Sequence, residues 1–576
     1  MKPKHVFGVA GLVTLLGALA LATGTSATLS PAAATMTLRA GDAVLGHDTE
    51  TKTVGVPAVL PRADIEIAID TTSSMNPSIV QAKADATAIV TGVQAVIGDA
   101  QFAVVDFRDA GDTHEYLVRQ SMTGSAAAIQ AAINAMTPDG GGDFPEAYNL
   151  VYRNSYVPSV GGDIGWRADT RKFVIVIGDA SPHGAGTAGV PGCTDTTVDP
   201  HGLNTATELA GMNAAGRTLF MILQTSSATT TLGCYQGLAA GAFAGGQGVT
   251  GGTDLSAQIV ALIQAAFANV SNVHLEVASA APAPASAAWI SFSPASVGPV
   301  PAPSSQSFSL TATVPALTPP GTYLFDIVAK ADGVDIGHQA LTIVVPAKQM
   351  TLTPAADTNP IGTSHTVTAR VFDVLGPYVN DPVTFTVGGI AAAPNAGTVP
   401  TNALGFASFT FANVPPAPGL NTIVAAAAGV SATAAKTWLN APPSCGSLKL
   451  DVTSLWPPNH KLHRITVSGA ADGDIGDAVS IVIDGVTQDE PVDAIGNGDG
   501  RTSPDAFLTS PLSNSVQLRA ERAGGGDGRV YRLHVTATDS FGATCSATLR
   551  VGVPHDQGGQ PFPVDSAPPS FNSLLP

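Results

Sequence analysis

The sequence predicts a multidomain protein in which an α/β doubly wound domain is followed by several all-β sandwich domains. Its 576 residues are too many for a single domain, since domains usually hold about 100 to 200 residues. Strand-like and helix-like patterns alternate from residue 61 to residue 272. From residue 273 onward, short alternating strands are separated by Pro, Gly, Ser and Asn, a pattern typical of sandwiches.

The first of these domains, 61–272, is expected to hold a mostly parallel sheet between two layers of helices, because strands and helices alternate along it. Apolar or β-branched runs predict strands at 64–69, 102–107, 115–119, 173–177 and 218–224. Helical spacing of apolar residues predicts helices at 77–96, 126–136, 145–152, 206–215 and 257–268.

Changes in composition divide the rest of the chain into three predicted β modules, 273–346, 347–442 and 443–556. Residues 28–60 are assigned to a lead segment that precedes the α/β domain. Residues 557–576 are rich in Pro and Ser, which predicts a disordered tail.

The N-terminus has the pattern of an export signal peptide, residues 1–27. Basic residues precede an apolar run at 6–22, and small residues follow at 25–27, where a signal peptidase would cut. An uncleaved membrane anchor is the alternative, because this run is at the short edge of what a spanning helix needs. We expect no integral membrane span after signal removal, and a secreted, extracellular or cell-surface location.

Charge and cysteine content agree with an exported protein that does not bind nucleic acid. The net charge is -18, with 44 acidic and 26 basic side chains, which opposes binding to phosphate backbones and argues against nucleic acid as a partner. The four cysteines can pair in three ways. The expected disulfides are Cys193 with Cys234 and Cys445 with Cys545, because each pair lies within one predicted domain and exported chains commonly oxidise such pairs.

Three loops at predicted strand ends carry oxygen atoms suited to a divalent cation. The candidate metal ligands are Asp70, Thr72, Ser74, Asp143, Glu146 and Asp179. The first three follow one strand at two-residue spacing, the next two lie in the loop GGGDFPEA, and the last follows the strand FVIVI. Ligands of an open α/β sheet bind at the carboxyl ends of its strands, and hard oxygen donors suit Mg²⁺, Ca²⁺ or Mn²⁺.

This pattern resembles the metal-ion-dependent adhesion site of the von Willebrand factor A family, which has Asp-x-Ser/Thr-x-Ser and one residue from each of two later loops. Asp70, Thr72 and Ser74 match the first part, and Asp179 in VIGDA matches the last. The resemblance covers residues 61–272 and implies a Rossmann-like fold. It also implies a protein partner, whose acidic residue completes the shell of the bound metal.

The middle loop departs from the family members that carry a single Thr there. GGGDFPEA is closer to the integrin β form, so the resemblance implies Asp143 or Glu146, or each in a different ligand state, as the middle ligand. A phosphotransferase of the haloacid dehalogenase type would need a second Asp at position 72 as general acid. Thr72 stands there, so we expect no enzymatic activity.

Other polar residues near these loops are given ordinary roles. The acidic residues Asp106, Asp109 and Asp112 follow the second strand, and their spacing favours a solvated loop. His183 lies in the loop after Asp179, where a histidine is more often a surface or ligand-specificity residue than a catalytic one.

The β modules add two further expectations. Residues 347–442 resemble bacterial immunoglobulin-like modules of the invasin and intimin kind in IGTSHTVTARVFD, DPVTFTV and TNALGFASFTF, so we expect immunoglobulin-like sandwiches. In 443–556 a group of acidic residues is interpreted as polar turns, with Ca²⁺ binding at a strand edge as the alternative. This group comprises Asp472, Asp474, Asp477, Asp489 and Glu490.

Together these patterns predict a secreted or surface-displayed adhesion-type protein, in which a metal-binding domain captures a protein ligand. One alternative is a structural or assembly component whose metal only stabilises the fold. The other is a metal-dependent hydrolase.

Overall fold

A computed structural model describes residues 28–142, 145–158, 162–224, 232–493, 498–556, 558 and 562–575. The chain forms two compact units, Met1–Pro346 and Ala347–Pro576. The predicted export signal, 1–27, lies outside the described residues. No helix in the described ranges is long and apolar enough to cross a membrane.

The first unit combines an α/β domain with a β-sandwich. Its strands are β1 (Leu29–Ser30), β2 (Ala33–Thr37), β3 (His47–Val56), β4 (Arg62–Asp70), β5 (Asp99–Phe107), β6 (Tyr116–Thr123), β7 (Arg171–Gly178), β8 (Arg217–Leu223), β9 (Phe243–Thr250), β10 (Asn269–Val270), β11 (Val273–Ala281), β12 (Ile290–Ser293), β13 (Val300–Pro301), β14 (Ser304–Thr313), β15 (Gly321–Ala331) and β16 (Val334–Val345). Its helices are α1 (Asn76–Val96), α2 (Ala126–Asn134), α3 (Tyr148–Asn154), α4 (Thr205–Ala214), α5 (Leu232–Gly241) and α6 (Leu255–Ala266).

The α/β domain has a six-stranded sheet in the order β6-β5-β4-β7-β8-β9, in which only the β5–β6 pair is antiparallel. Helices α1, α2 and α6 pack on one face of this sheet, and α3, α4 and α5 pack on the other. The central strands are therefore buried on both sides, which is why they read as continuous apolar runs. The predicted doubly wound fold is confirmed.

Two elements of the α/β domain, the helix α5 and the edge strand β9, were not predicted. Their sequences, LGCYQGLAAG and FAGGQGVT, each contain three glycines and show no clear apolar period. Glycine disfavours both helix and strand, so tertiary packing rather than local preference must hold them. In the structure α5 packs against both β8 and β9.

The sandwich of the first unit corrects the predicted boundaries. Its two sheets have the orders β1-β3-β14-β12 and β11-β15-β16-β2. Residues 28–60 are thus not a separate lead segment, because β3 pairs with β14 along its full length and β2 pairs with β16. Module 273–346 is incomplete without them, and the α/β domain is inserted between β3 and β11. The polar sequence of β3 does not predict a buried strand. Its Lys52 is nevertheless fully buried, and it forms an ion pair with Glu50.

The second unit holds two sandwiches. Its strands are β17 (Gln349–Thr353), β18 (Ala356–Pro360), β19 (Ser364–Asp373), β20 (Gly376–Pro377), β21 (Pro382–Gly389), β22 (Ala396–Pro400), β23 (Phe406–Ala412), β24 (Gly419–Ala427), β25 (Val430–Leu439), β26 (Lys449–Leu450), β27 (Leu462–Ser468), β28 (Ser480–Gln488), β29 (Ala506–Leu508), β30 (Ser515–Arg519), β31 (Gly528–Thr538), β32 (Thr544–Pro554) and β33 (Phe571–Asn572). The middle sandwich pairs β19 with β17, β20 and β23 in one sheet, and its other sheet has the order β18-β25-β24-β21-β22. The last sandwich has the sheets β26-β27-β30-β29 and β32-β31-β28-β33.

The C-terminal tail is part of the last sandwich where the structure describes it, and the predicted disorder is wrong for residues 562–575. Strand β33 pairs with β28, and Ser573 is fully buried. The Asp565 carboxylate forms ion pairs with Arg532 and, at 3.0 Å, with Arg550. A Pro-rich composition did not reveal these partners, because they lie on distant strands.

Both predicted disulfides are confirmed. Cys193 is bonded to Cys234 in the α/β domain, and Cys445 is bonded to Cys545 in the last sandwich. The second bond closes a loop with a sequence separation of 100 residues, which restricts the unfolded chain of this module.

Candidate metal centre

The carboxyl edge of the central sheet brings two aspartates together. Strand β4 ends at Asp70, and β7 ends at Gly178, directly before Asp179. These strands are parallel neighbours, with Ile69 opposite Ile177, so the two carboxylates emerge side by side. Both aspartates are fully buried.

Close packing beneath the second aspartate explains the glycine in VIGDA. A Cβ atom at Gly178 would lie 1.8 Å from the Tyr148 hydroxyl oxygen. The Tyr148 and Tyr235 hydroxyls form a hydrogen bond of 2.8 Å, and Tyr235 donates to the Ala180 carbonyl at 3.0 Å. This tyrosine pair therefore holds the backbone on both sides of Asp179.

The turn after β4 gathers one carboxylate and two hydroxyls. Asp70 Oδ1 accepts hydrogen bonds from the Thr72 backbone N–H at 2.9 Å and from the Thr72 hydroxyl at 2.7 Å. The Thr72 and Ser74 hydroxyl oxygens are 3.3 Å apart. Asp70 Oδ2 is buried and has no hydrogen-bond partner among the described residues. This oxygen can therefore still accept a cation or a proton.

The Gly-rich loop lies across this turn. The Gly140 carbonyl accepts hydrogen bonds from the Ser73 backbone N–H at 3.3 Å and from the Ser73 hydroxyl at 2.8 Å. Gly140 and Gly141 have φ values of 75° and 86°, a backbone region that favours glycine. The Gly141 N–H donates to the Asp112 carboxylate at 3.0 Å. Asp143, one of the two predicted middle-loop ligands, lies outside the described residues.

Glu146, the other middle-loop candidate, lines the same cavity as Thr72 and Ser74. Its backbone N–H donates to the Ser181 carbonyl at 3.1 Å, which ties the loop to the segment after β7. The side chain is buried, and Glu146 Oε2 has no hydrogen-bond partner in the described part of the chain. A cavity of about 140 Å³ opens beside it. The cavity is lined by Thr72, Ser73, Ser74, Gly140, Gly141, Gly142 and Glu146.

Electrostatics at this cavity favour a bound cation. Burial strongly raises the pKa of Glu146, and the nearby carboxylates of Asp70, Asp109 and Asp179 raise it further. Burial also raises the pKa of Asp70, with Asp179 adding to the effect and the Thr72 hydrogen bonds opposing it. Carboxylates crowded in this way hold protons unless a cation keeps them ionised.

The expectation of a solvated acidic loop after the second strand is wrong for two of its three residues, and Asp106 lies within β5 itself. Asp106 and Asp109 are buried, whereas Asp112 is half-buried. Asp106 accepts hydrogen bonds from Thr71 and from Arg119, whose Nε lies at 2.8 Å. Because Asp106 is opposite Ile69 on the neighbouring strand, its strand-end position was the signal that could have placed it beside the site.

His183 is also buried rather than a surface residue. Its Nε2 lies 3.3 Å from Asp109 Oδ1, and its Nδ1 lies 3.1 Å from the Thr197 hydroxyl. This histidine therefore joins the loop after β7 to the loop after β5. The Cys193–Cys234 disulfide fixes the same loop further along, since it joins the segment before α4 to α5.

The predicted acidic group of the last sandwich does not form one site. Asp472 and Asp477 lie near each other and near Asp539, which sequence reasoning missed. Asp474 instead accepts a hydrogen bond from the Ala441 N–H at 2.7 Å. The other two members bind backbone and guanidinium groups elsewhere: Asp489 accepts from the Val530 N–H, and Glu490 pairs with Arg529.

Comparison with known proteins agrees with the α/β domain. The von Willebrand factor A domain model matches residues 65–151. No curated protein matches the sequence. Among solved structures, proximal thread matrix protein 1 from the mussel byssus is similar at 16% identity and a TM-score of 0.26, over 37% of this chain and 49% of that chain. The match thus spans about half the length of that protein.

The matched segment begins in β4 and ends in α3, so it includes the Asp70 turn and Glu146. A domain of this type suggests adhesion or protein binding, and two disulfides are consistent with an extracellular protein. Residues 65–151 hold a von Willebrand factor A-type domain.

Proposed function

We propose that this protein is a secreted or surface-displayed adhesion protein that captures a protein ligand through a divalent cation at the carboxyl edge of its α/β sheet. The observation that carries the proposal is the pair of buried oxygens, Asp70 Oδ2 and Glu146 Oε2, without hydrogen-bond partners in the described ranges. Thr72 and Ser74 line the same cavity as Glu146, and the Asp179 carboxylate is near enough to raise the pKa of both Asp70 and Glu146. Such a set of hard oxygen donors suits Mg²⁺, Ca²⁺ or Mn²⁺.

In this proposal Asp70, Thr72, Ser74, Glu146 and Asp179 hold the cation, directly or through water. A bound divalent cation supplies an electrophilic position that accepts a carboxylate oxygen from the partner. The Thr72 hydrogen bonds keep Asp70 in place, and the Gly-rich loop leaves room above the turn because its glycines lack side chains. In this proposal the Cys193–Cys234 disulfide, which joins the loop after β7 to α5, lowers the ordering cost of ligand binding.

The role is proposed to be non-enzymatic. Thr72 occupies the position where a phosphotransferase of the haloacid dehalogenase type would need an acidic proton donor. Its hydroxyl already donates to Asp70 and so stabilises the carboxylate rather than a leaving group. Phosphatase and esterase assays with the full chain and Mg²⁺ test this, and turnover that Asp70→Ala removes would contradict it.

The metal proposal is tested with Mn²⁺ and the full chain. Asp70→Ala is expected to abolish Mn²⁺ binding measured by electron paramagnetic resonance titration, while circular dichroism stays unchanged. The control is Asp48→Ala, since Asp48 is an exposed aspartate of β3 in the sandwich. Equal Mn²⁺ affinity in the wild type and Asp70→Ala would overturn the proposal.

Partner capture is tested separately from the metal. The full chain, immobilised in Mg²⁺, is exposed to an array of peptides with and without one Asp or Glu. Binding that requires both the acidic residue and Mg²⁺ supports the adhesion role. If Mn²⁺ binds but no acidic peptide is retained, and the metal raises the melting temperature, the cation has a structural role only.

A further inference from the structure

The last sandwich buries one guanidinium among four carboxylates. Arg529 on β31 is fully buried. It donates to Asp505 at 2.5 Å and to Glu490 at 3.2 Å, it also donates to Asp499, and its Nη1 lies 3.5 Å from Glu521. Three of these carboxylates, Glu490, Asp499 and Asp505, lie in the connection between β28 and β29, and Glu521 follows β30. One side chain thus ties these segments together.

The charges in this cluster do not balance. The only other guanidinium in ion-pair contact with these carboxylates, within the described part of the chain, is Arg519, 3.9 Å from Asp505 and 3.8 Å from Glu521. Two guanidinium groups therefore face four buried or nearly buried carboxylates. Even with a positive charge on His460, which lies 3.0 Å from Glu521, one negative charge remains in excess. A buried, unpaired charge is costly, and a carboxylate in that position takes up a proton instead.

Asp505 and Glu521 are where this proton fits. Both side chains are fully buried. Asp505 Oδ2 accepts from Gln488 at 2.7 Å as well as from Arg529, and Glu521 Oε2 accepts from the Thr502 hydroxyl. Their second oxygens, Asp505 Oδ1 and Glu521 Oε1, accept no hydrogen bond from any described residue.

The electrostatics agree with this geometry. Burial, and then a hydrogen bond with the Glu521 carboxyl, raise the pKa of Asp505 to about 7, although Arg529 and Gln488 lower it. Two carboxylates cannot donate to each other when both are ionised, so a hydrogen bond between them requires one proton. Other charged or titratable groups face the pair from every packed element. They are Arg519 on β30, Arg529 and Tyr531 on β31, His460 before β27, Glu490 after β28, and Asp499 before β29.

We propose that the buried pair Asp505 and Glu521 holds one proton in the folded protein, and that the loss of this proton loosens the last sandwich. The direction of this pH effect follows from the linkage between protonation and stability. A carboxyl whose folded-state pKa is raised stabilises the fold fully below its ordinary pKa of 3.8, and this contribution is lost as pH rises through about 7. The last sandwich would therefore be held most tightly in acid, independently of any metal bound by the first unit.

The first test measures hydrogen exchange of the full chain by mass spectrometry near pH 5 and near pH 8, at constant Mg²⁺. Protection of β31, corrected for the intrinsic pH dependence of exchange, is expected to fall by about a hundredfold in the wild type, because about two pH units separate pH 5 from the raised pKa and each unit gives a factor of ten. Asp505→Asn keeps an uncharged partner for Glu521 and is expected to abolish this fall. Glu521→Gln is the second variant and should do the same.

Two control variants distinguish the titration of the Asp505–Glu521 pair from that of other groups. His460→Gln removes the ring that faces Glu521 and should leave the fall in place. Glu66→Gln removes a buried carboxyl of the first unit and should leave it unchanged in β31. A wild-type β31 whose protection does not change between the two pH values would overturn the proposal without any variant.

The second test looks for the proton itself. Infrared difference spectra of the full chain between acid and alkaline pH should contain a protonated-carboxyl band that Asp505→Asn removes and Glu66→Gln does not. If the spectra of the wild type and Asp505→Asn contain the same protonated-carboxyl bands, both carboxylates are ionised and the proposal fails.

Discussion

The carboxyl edge of the α/β sheet and the core of the last sandwich each bury several carboxylates, but they neutralise them differently. In the last sandwich, Arg529 brings a positive charge from within the chain and contacts four carboxylates. At the sheet edge, the charges that most raise the pKa of Glu146 are the carboxylates of Asp70, Asp109 and Asp179. The acidic cluster at the sheet edge also borders an open cavity of about 140 Å³.

This difference separates a structural cluster from a candidate binding site. A guanidinium supplied by the fold is a permanent partner, so the carboxylates around it are already occupied. Carboxylates that face a cavity without such a partner are stabilised only when something enters from solvent. Carboxylates paired with a guanidinium of the chain therefore indicate a structural role, whereas buried carboxylates that face a cavity indicate a candidate binding site.

Removing the built-in cation should have the largest effect. Arg529→Met leaves four carboxylates without their main partner, and we expect it to destabilise the last sandwich by about 3–5 kcal/mol. Hydrogen exchange of β31 in increasing urea, followed by mass spectrometry, measures this. Arg464→Met, at an exposed position of β27, is the matched control. An unchanged unfolding midpoint for Arg529→Met would mean that the cluster is not a structural tie.

Weakening the sheet-edge site should have a smaller effect that depends on metal. Glu146→Gln keeps the shape of the side chain but removes its charge, so we expect Mn²⁺ affinity to fall about tenfold, or about 1.4 kcal/mol. Isothermal titration calorimetry measures this, and stability in a chelator should not fall. A variant that loses stability equally with and without metal would place Glu146 in the structural class.

The smallest effect is expected for a buried carboxylate that belongs to neither group. Burial raises the pKa of Glu66 on β4 to about 8, although the Arg217 guanidinium lowers it. Its contribution to stability is present below 4.5 and is lost as pH rises through about 8. Glu66→Gln should therefore make the first unit more stable at alkaline pH and flatten its pH dependence. Calorimetry near pH 5 and near pH 9, in a chelator, tests this, and a parallel pH dependence in the variant would contradict it.

Much of the α/β domain could be predicted because its signals are local. Strands covered on both faces are apolar throughout, and the Asp70 turn directly follows such a strand. Loops at the carboxyl ends of parallel strands meet at one edge, so Asp70 and Asp179 could be placed together without a structure.

What could not be predicted depends on partners far away in the chain. Strand β3 carries the polar sequence HDTETKTVGV, and only its pairing with β14 shows that it is half of a sandwich. Asp106 can be buried because Arg119 and Thr71 donate hydrogen bonds to its carboxylate. The tail is held because Arg532 forms an ion pair with Asp565. The composition and periodicity of a segment carry no information about such contacts with distant residues.

The insertion of the α/β domain between β3 and β11 has a mechanical consequence. Because both ends of the domain continue into strands of one sandwich, tension applied to the domain would be divided between two covalent connections. A protease that cuts only residues 57–61 would leave the domain attached through β11, which pairs with β15 over most of its length. If the α/β domain captures a ligand as proposed, that ligand would be held by a domain joined to its sandwich at both ends.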